Sequence, residues 1–86
     1  MRDTPYAKEL ATASIAHGAH ECRIERLYVK KAKQVEIRFS WWKNGRMTPR
    51  PLDVTENELF SLLREAIKKN VFRRGFRSKV SSLFAK

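Results

Sequence analysis

The chain predicts an α+β fold: an antiparallel three- to four-stranded sheet packed by one capped helix, with an N-terminal helix and a basic amphipathic C-terminal helix. Three stretches carry that expectation. Positions 34–42 alternate, with Val35, Ile37, Phe39 and Trp41 on one face and Gln34, Glu36, Arg38, Ser40 and Trp42 on the other. Successive strand side chains point to opposite faces, so this pattern describes a half-buried strand. Asn44-Gly45 follows at once, and both residues tolerate the positive φ of a tight hairpin turn. Further on, Thr55 and Glu58 stand at capping-box spacing before an apolar run.

The remaining elements follow in order. Thr4-Pro5 offers a hydroxyl cap and then a proline whose missing N–H costs nothing at a helix start. Tyr6, Leu10 and Ala13 share a helical face, with Ala7, Ala11 and Ile15 beside them, so a lightly docked helix ending at Gly18 is expected. Arg23–Val29 has the β-branched and aromatic content of a strand. Its alternation is imperfect, which a bulge or burial on both sides would explain. Lys30-Lys31-Ala32-Lys33 makes the next turn. Beyond Gly45, residues 46–54 are expected to pair back as an edge strand. Pro49 and Pro51 remove donors from one side only, leaving the other free.

Leu59, Phe60, Leu62, Leu63, Ala66 and Ile67 form a broad helical apolar face. It is expected to cover the Val35/Ile37/Phe39/Trp41 side of the sheet. Val54 and Leu59 occupy staple positions, and Asn70 is a fitting terminator. Residues 71–86 continue with Phe72, Phe76, Val80, Leu83 and Phe84 at helical spacing, with Arg73, Arg74, Arg77 and Lys79 mostly off that stripe.

With 86 residues, the chain has room for one small core. Residues 1–70 form the expected domain and 71–86 a basic extension that could also meet a protein partner. No run approaches the roughly 18 apolar residues of a membrane span, and the start lacks the features of a secretory signal. Cys22 is the only cysteine, which excludes an intrachain disulfide and suits a reducing interior. A cytoplasmic protein is expected, nucleoid-associated, or nuclear in a eukaryote.

The net charge of +10 is unevenly spread. Acidic and basic residues cancel in 1–29 and in 55–70. The excess lies in 30–54, with seven basic residues against two acidic, and in 71–86, with five basic residues and none acidic. Two concentrations of positive charge are the footprint of a polyanion binder. A solvated basic surface on a protein with another task is the bland alternative.

Catalysis finds no support in the residues. No nucleophile motif, glycine-rich phosphate loop or acidic magnesium cluster is present, so neither an enzyme nor a cofactor is expected. His17, His20 and Cys22 are three irregularly spaced candidates for a zinc site that needs four ligands, or three and a water. A polar connector explains them better, and no metal is expected.

Aromatic residues interleaved with cations do stand out: Tyr28, Lys30, Lys31, Lys33, Arg38, Trp41, Trp42, Lys43, Arg46 and Arg50. With Trp41 on the core side, Trp42 faces away from the helix beside Arg38, as an exposed stacking platform next to phosphate contacts. Unpaired bases offer π-faces to such a platform, whereas duplex DNA hides them. Trp42 beneath a dimer interface or the C-terminal helix is the alternative. Arg73, Arg74 and Arg77 would add phosphate contacts from the extension.

Ile37-Arg38-x-x-Trp41, Gly45-x-Met47-x-Pro49 and the acidic-capped helix at Thr55-Glu56-Asn57-Glu58 together resemble the positive-cofactor-four (p15) transcriptional coactivator family over about residues 23–68. The resemblance implies a curved four-stranded antiparallel sheet backed by a helix that dimerises, with channels binding single-stranded DNA. It also implies that Lys30, Arg38, Trp41 and Arg50 contact the strand, so which tryptophan meets the ligand stays open. The chain departs from the family in having Arg50-Pro51 where a Gly-Arg-Lys-Gly run is usual. It departs again in its helix-like N-terminus and added tail.

The leading expectation is therefore a sequence-tolerant single-stranded nucleic-acid binder, DNA more than RNA, acting as a homodimer in transcription, replication or repair. A double-stranded DNA or RNA reader is the rival within that class, since helix, three strands and helix is also a duplex-RNA-binding order. A small inhibitor or adaptor anchored by the tail and tryptophan is the rival outside it.

Overall fold

A computed structural model describes residues 2–85. Four antiparallel strands form one open sheet in the order β1 (Ala7–His17), β2 (His20–Val29), β3 (Gln34–Lys43) and β4 (Arg46–Met47). Two helices follow, α1 (Glu56–Lys68) and α2 (Arg74–Phe84). Each hairpin turn uses a residue in the left-handed region: Gly18 at φ 59°, Lys33 at 55°, and Asn44 and Gly45 at 50° and 78°. Two successive positive φ values give the primed turn whose twist matches the flanking strands. That turn sets the register Lys43↔Arg46 and Trp42↔Met47.

The expected N-terminal helix is a strand. Thr4 does act as a cap, but of a turn: its Oγ1 accepts from the Ala7 N–H at 3.1 Å, and its own N–H donates to the Ala7 carbonyl at 2.9 Å. The chain then doubles back, with Asp3 bridged to Lys8 and the Glu9 N–H bonded to the Arg2 carbonyl. A register shift between Glu9 and Ala11 follows. Beyond it Ala11, Ala13 and Ile15 face one side, and Thr12, Ser14 and Ala16 the other. Alanine favours helices in isolation, but strand preference is set by packing. Here Ala11 and Ala13 are buried beneath α1, and their small side chains let that helix approach closely.

The fourth strand is shorter than expected, with two residues rather than the whole of 46–54. The Thr48 N–H still donates to the Trp41 carbonyl at 2.8 Å. Pro49 has no N–H to continue the ladder. The segment then packs Leu52 and Val54 against the core.

α1 begins as its sequence dictates. Thr55 Oγ1 accepts from the Glu58 N–H at 3.1 Å, and Glu58 Oε1 accepts from the Thr55 N–H at 2.8 Å. It ends in a complete Schellman motif around Asn70 at φ 56°. The Val71 N–H donates to the Ala66 carbonyl at 2.9 Å, and the Asn70 N–H to the Ile67 carbonyl at 3.2 Å. Val71 is thereby driven fully into the core. Arg26 also reaches the Asn70 carbonyl, at 3.3 Å, placing a cation at the negative end of the helix.

The core joins Leu62, Ala66 and Val71 to Ala11, Ala13, Cys22 and Ile24. Burial pushes the Cys22 thiol pKa up. α1 thus lies over β1 and β2. It packs on the expected side of the sheet but not over β3. Val35, Ile37 and Phe39 remain 37%, 41% and 49% exposed. The alanines of β1 admit a close helix backbone where those larger side chains would hold it away.

Replacing the α1 cap, Thr55→Ala, is expected to lower the unfolding free energy by about 1 kcal/mol. Urea denaturation followed by circular dichroism measures it; an unchanged midpoint would mean that the box adds nothing to stability.

Candidate nucleic-acid interface

The sheet side away from α1 carries Arg23, Glu25 and Leu27 from β2. From β3 it carries Glu36, Arg38, Ser40 and Trp42. Strand alternation and the register Glu25↔Arg38 and Arg23↔Ser40 place them there. Glu25 is fully buried at the centre. Its Oε1 accepts from Arg38 Nε at 3.1 Å and Nη2 at 3.0 Å, and its Oε2 accepts from Nη2 at 3.1 Å. Ser40 Oγ donates to Glu25 Oε1 at 3.0 Å while accepting from Trp42 Nε1 at 2.8 Å. A carboxylate buried without partners would cost several kcal/mol. The guanidinium fork and the hydroxyl satisfy it.

Trp42 takes the expected side but is only 5% exposed, so it is not an open platform. The Arg23 guanidinium lies 3.8 Å from its ring centroid and that of Arg2 4.9 Å. Guanidinium groups are weakly hydrated and stack on aromatic faces, and the doubled-back residues 2–6 bring Arg2 into reach. Trp41 points to the helix side, half-buried, with Nε1 donating to His20 Nδ1 at 3.0 Å and the two rings meeting edge-on. Arg2 and Arg23 were not among the expected site residues. Arg23 was legible in principle, because the hairpin register sets it opposite Ser40 beside Trp42.

The expected cations do not form one cluster. Lys30, Lys31 and Lys33 occupy the β2–β3 turn, while Lys43 and Arg46 flank the β3–β4 turn. Ten strand residues at about 3.3 Å each separate these turns by about 30 Å. Arg38 sits between them. Arg50 follows β4, and Arg73, Arg74 and Arg77 lie at the start of α2.

Lys30 is tethered, donating to Asp3 Oδ1 at 2.5 Å and the Thr4 carbonyl at 2.7 Å. Its ammonium holds the Asp3 carboxyl below the ordinary range. Arg23, bonded to Glu21 at 3.0 Å, does the same to that carboxyl. By contrast Lys31, Lys33, Lys43, Arg46, Arg50, Arg73, Arg74 and Arg77 are exposed. None of the eight pairs with a carboxylate among the described residues.

The helix side differs in kind. Ile37 and Phe39 of β3, Leu63 and Ile67 of α1, Phe72 between the helices, and Phe76 and Arg77 of α2 line a groove of about 630 Å³. Phe76 is 51% exposed, and Leu83 and Phe84 at the end of α2 more so. No described helix is long and apolar enough to cross a membrane. Comparison of the chain with protein-family models, curated proteins and solved structures finds no match.

Removing the buried carboxylate, Glu25→Ala, strands the Arg38 fork and the Ser40 hydroxyl. It is expected to destabilise the fold by about 3 kcal/mol, read from denaturant unfolding. A loss below about 1 kcal/mol, the level of an exposed pair, would show that the network is not structural.

Proposed function

We propose that this chain binds single-stranded nucleic acid, DNA more than RNA, with little sequence preference, and that it does so as a homodimer. The observation that carries the reading is the set of eight exposed cations without carboxylate partners among the described residues. They stand at both ends of β3, after β4 at Arg50, and at α2, with Arg23 and Arg38 on the sheet between the two turns. A flexible phosphate backbone can follow such a spaced row. Lys31, Lys33, Lys43 and Arg46 meet phosphates at the turns, and the strand passes Arg38 between them. The order of four antiparallel strands and a capped helix agrees with the resemblance to the positive-cofactor-four family, which adds weight to single strands over duplex.

Dimerisation is supported by the helix side. Soluble monomers rarely expose contiguous apolar patches above a few hundred Å². Val35, Ile37, Phe39, Ile67 and Phe76, with Leu83 and Phe84, are each more than a third exposed. Together they offer on the order of the ~800 Å² per partner that a stable complex buries. A second copy on this side leaves the opposite sheet face free for the polyanion.

Two measurements test the reading. Anisotropy of a labelled oligo-dT should report binding whose log–log salt slope is about −3 or steeper, as when four or more phosphates are neutralised on a single strand. Equal affinity for a duplex, or no binding at low salt, would refute it. Sedimentation should find a dimer that Phe39→Asp converts to a folded monomer. A wild-type monomer at tens of micromolar would refute that part.

A further inference from the structure

On the helix-free side, the doubled-back N-terminal residues and the sheet enclose a cavity of about 330 Å³. Its apolar walls come from Tyr6, Ala7, Leu27 and Met47, its cations from Arg2 and Arg38, and its other polar groups from Thr4 and the Glu9 carboxylate. Each wall has a physical origin. The Thr4 turn presents Tyr6, a residue 57% exposed. Ala7, small enough to leave space, packs with Leu27 and Val29 as a buried floor. Met47, 45% exposed, stands opposite Trp42 at the rim of the sheet. Glu25 fixes Arg38 through Nε and Nη2. The two N–H groups on Arg38 Nη1 make no hydrogen bond among the described residues.

We infer that this cavity is a binding pocket for one unpaired nucleobase, with Tyr6 as its stacking face and Arg38 as its polar contact. This rests on the proposed single-strand reading and deepens it by naming where a base enters. The lining decides between ligand classes. A phosphate alone would need the two guanidinium groups and leave Tyr6, Leu27 and Met47 unused. An aliphatic ligand would meet the apolar walls but leave the free Arg38 donors unpaired. A nucleobase uses both: its π-face lies on the tyrosine, its edge oxygens or nitrogens accept from Arg38, and its phosphate lies toward Arg2. The cavity is at the lower end of the range for small-ligand pockets, which suits one base and not two. With Trp42 covered by arginines, Tyr6 is the aromatic side chain on this side that a base can reach without displacing them.

The test compares an oligo-dT strand with an abasic strand of the same length and charge. Wild-type protein is measured beside Tyr6→Ala and Tyr6→Phe at one salt concentration. Wild type should bind dT about 5- to 150-fold more tightly than the abasic strand, the range that stacking of one base supplies. Tyr6→Ala should remove most of that ratio without altering abasic binding, and Tyr6→Phe should keep it. Met47→Glu, at an exposed position, should remove the ratio too, by filling the slot with a negative group. Wild-type binding that does not distinguish the strands, or a ratio that survives both Tyr6→Ala and Met47→Glu, overturns the pocket while leaving the polyanion reading intact. Failure to bind either strand at low salt overturns both.

Discussion

The bidentate contact between Arg38 and the buried Glu25 is the constraint on which the helix-free side of the sheet depends. A carboxylate without water must be answered by donors, and every donor that answers it comes from β3. Because Arg38 stands directly opposite Glu25 in the ladder, a register slip of one residue would turn the arginine to the other face. The ion pair therefore specifies the β2–β3 alignment as well as satisfying a charge. Through Ser40 it extends to the indole of Trp42, so one buried oxygen orients an arginine, a serine and a tryptophan.

The two sides of the sheet have diverged in chemistry for a geometric reason. α1 settles over the alanine-rich β1 and over β2, where backbones can approach. That leaves the bulkier Val35, Ile37 and Phe39 of β3 open. The other side holds its polar groups in pairs and stacks, with Arg23 and Arg2 on Trp42 and Lys30 tied to Asp3. The cations unpaired among the described residues sit at the ends of β3, after β4 and at α2. The helix side is thus equipped for apolar contact, with Arg77 of α2 at the groove, while Arg23 and Arg38 leave the other side equipped for a charged ligand.

Much was legible because it is local. The β3 alternation, the Asn44-Gly45 turn, the Thr55/Glu58 box, the Asn70 terminator and the amphipathic α2 all depend on residues within a few positions of one another. The N-terminal segment misleads for the same reason. Thr4-Pro5 followed by alanines satisfies the rules for a helix start, and Thr4 does cap a turn. The alanines nevertheless serve a strand, because β2 offers them a ladder and α1 a surface. Trp42 was placed on its correct side by parity. Its burial was not legible, since Arg2 lies forty residues away in the chain and meets it only after the N-terminus doubles back.

What the residues determined unaided was the set of elements with short-range signals, the side of β3 on which each residue falls and the two concentrations of positive charge. Tertiary structure alone decided that residues 7–17 are a strand, that α1 covers β1 and β2 rather than β3, and that arginines cover Trp42. Propensity and capping act over a few residues, whereas burial and ion pairing act between residues that only the fold brings together.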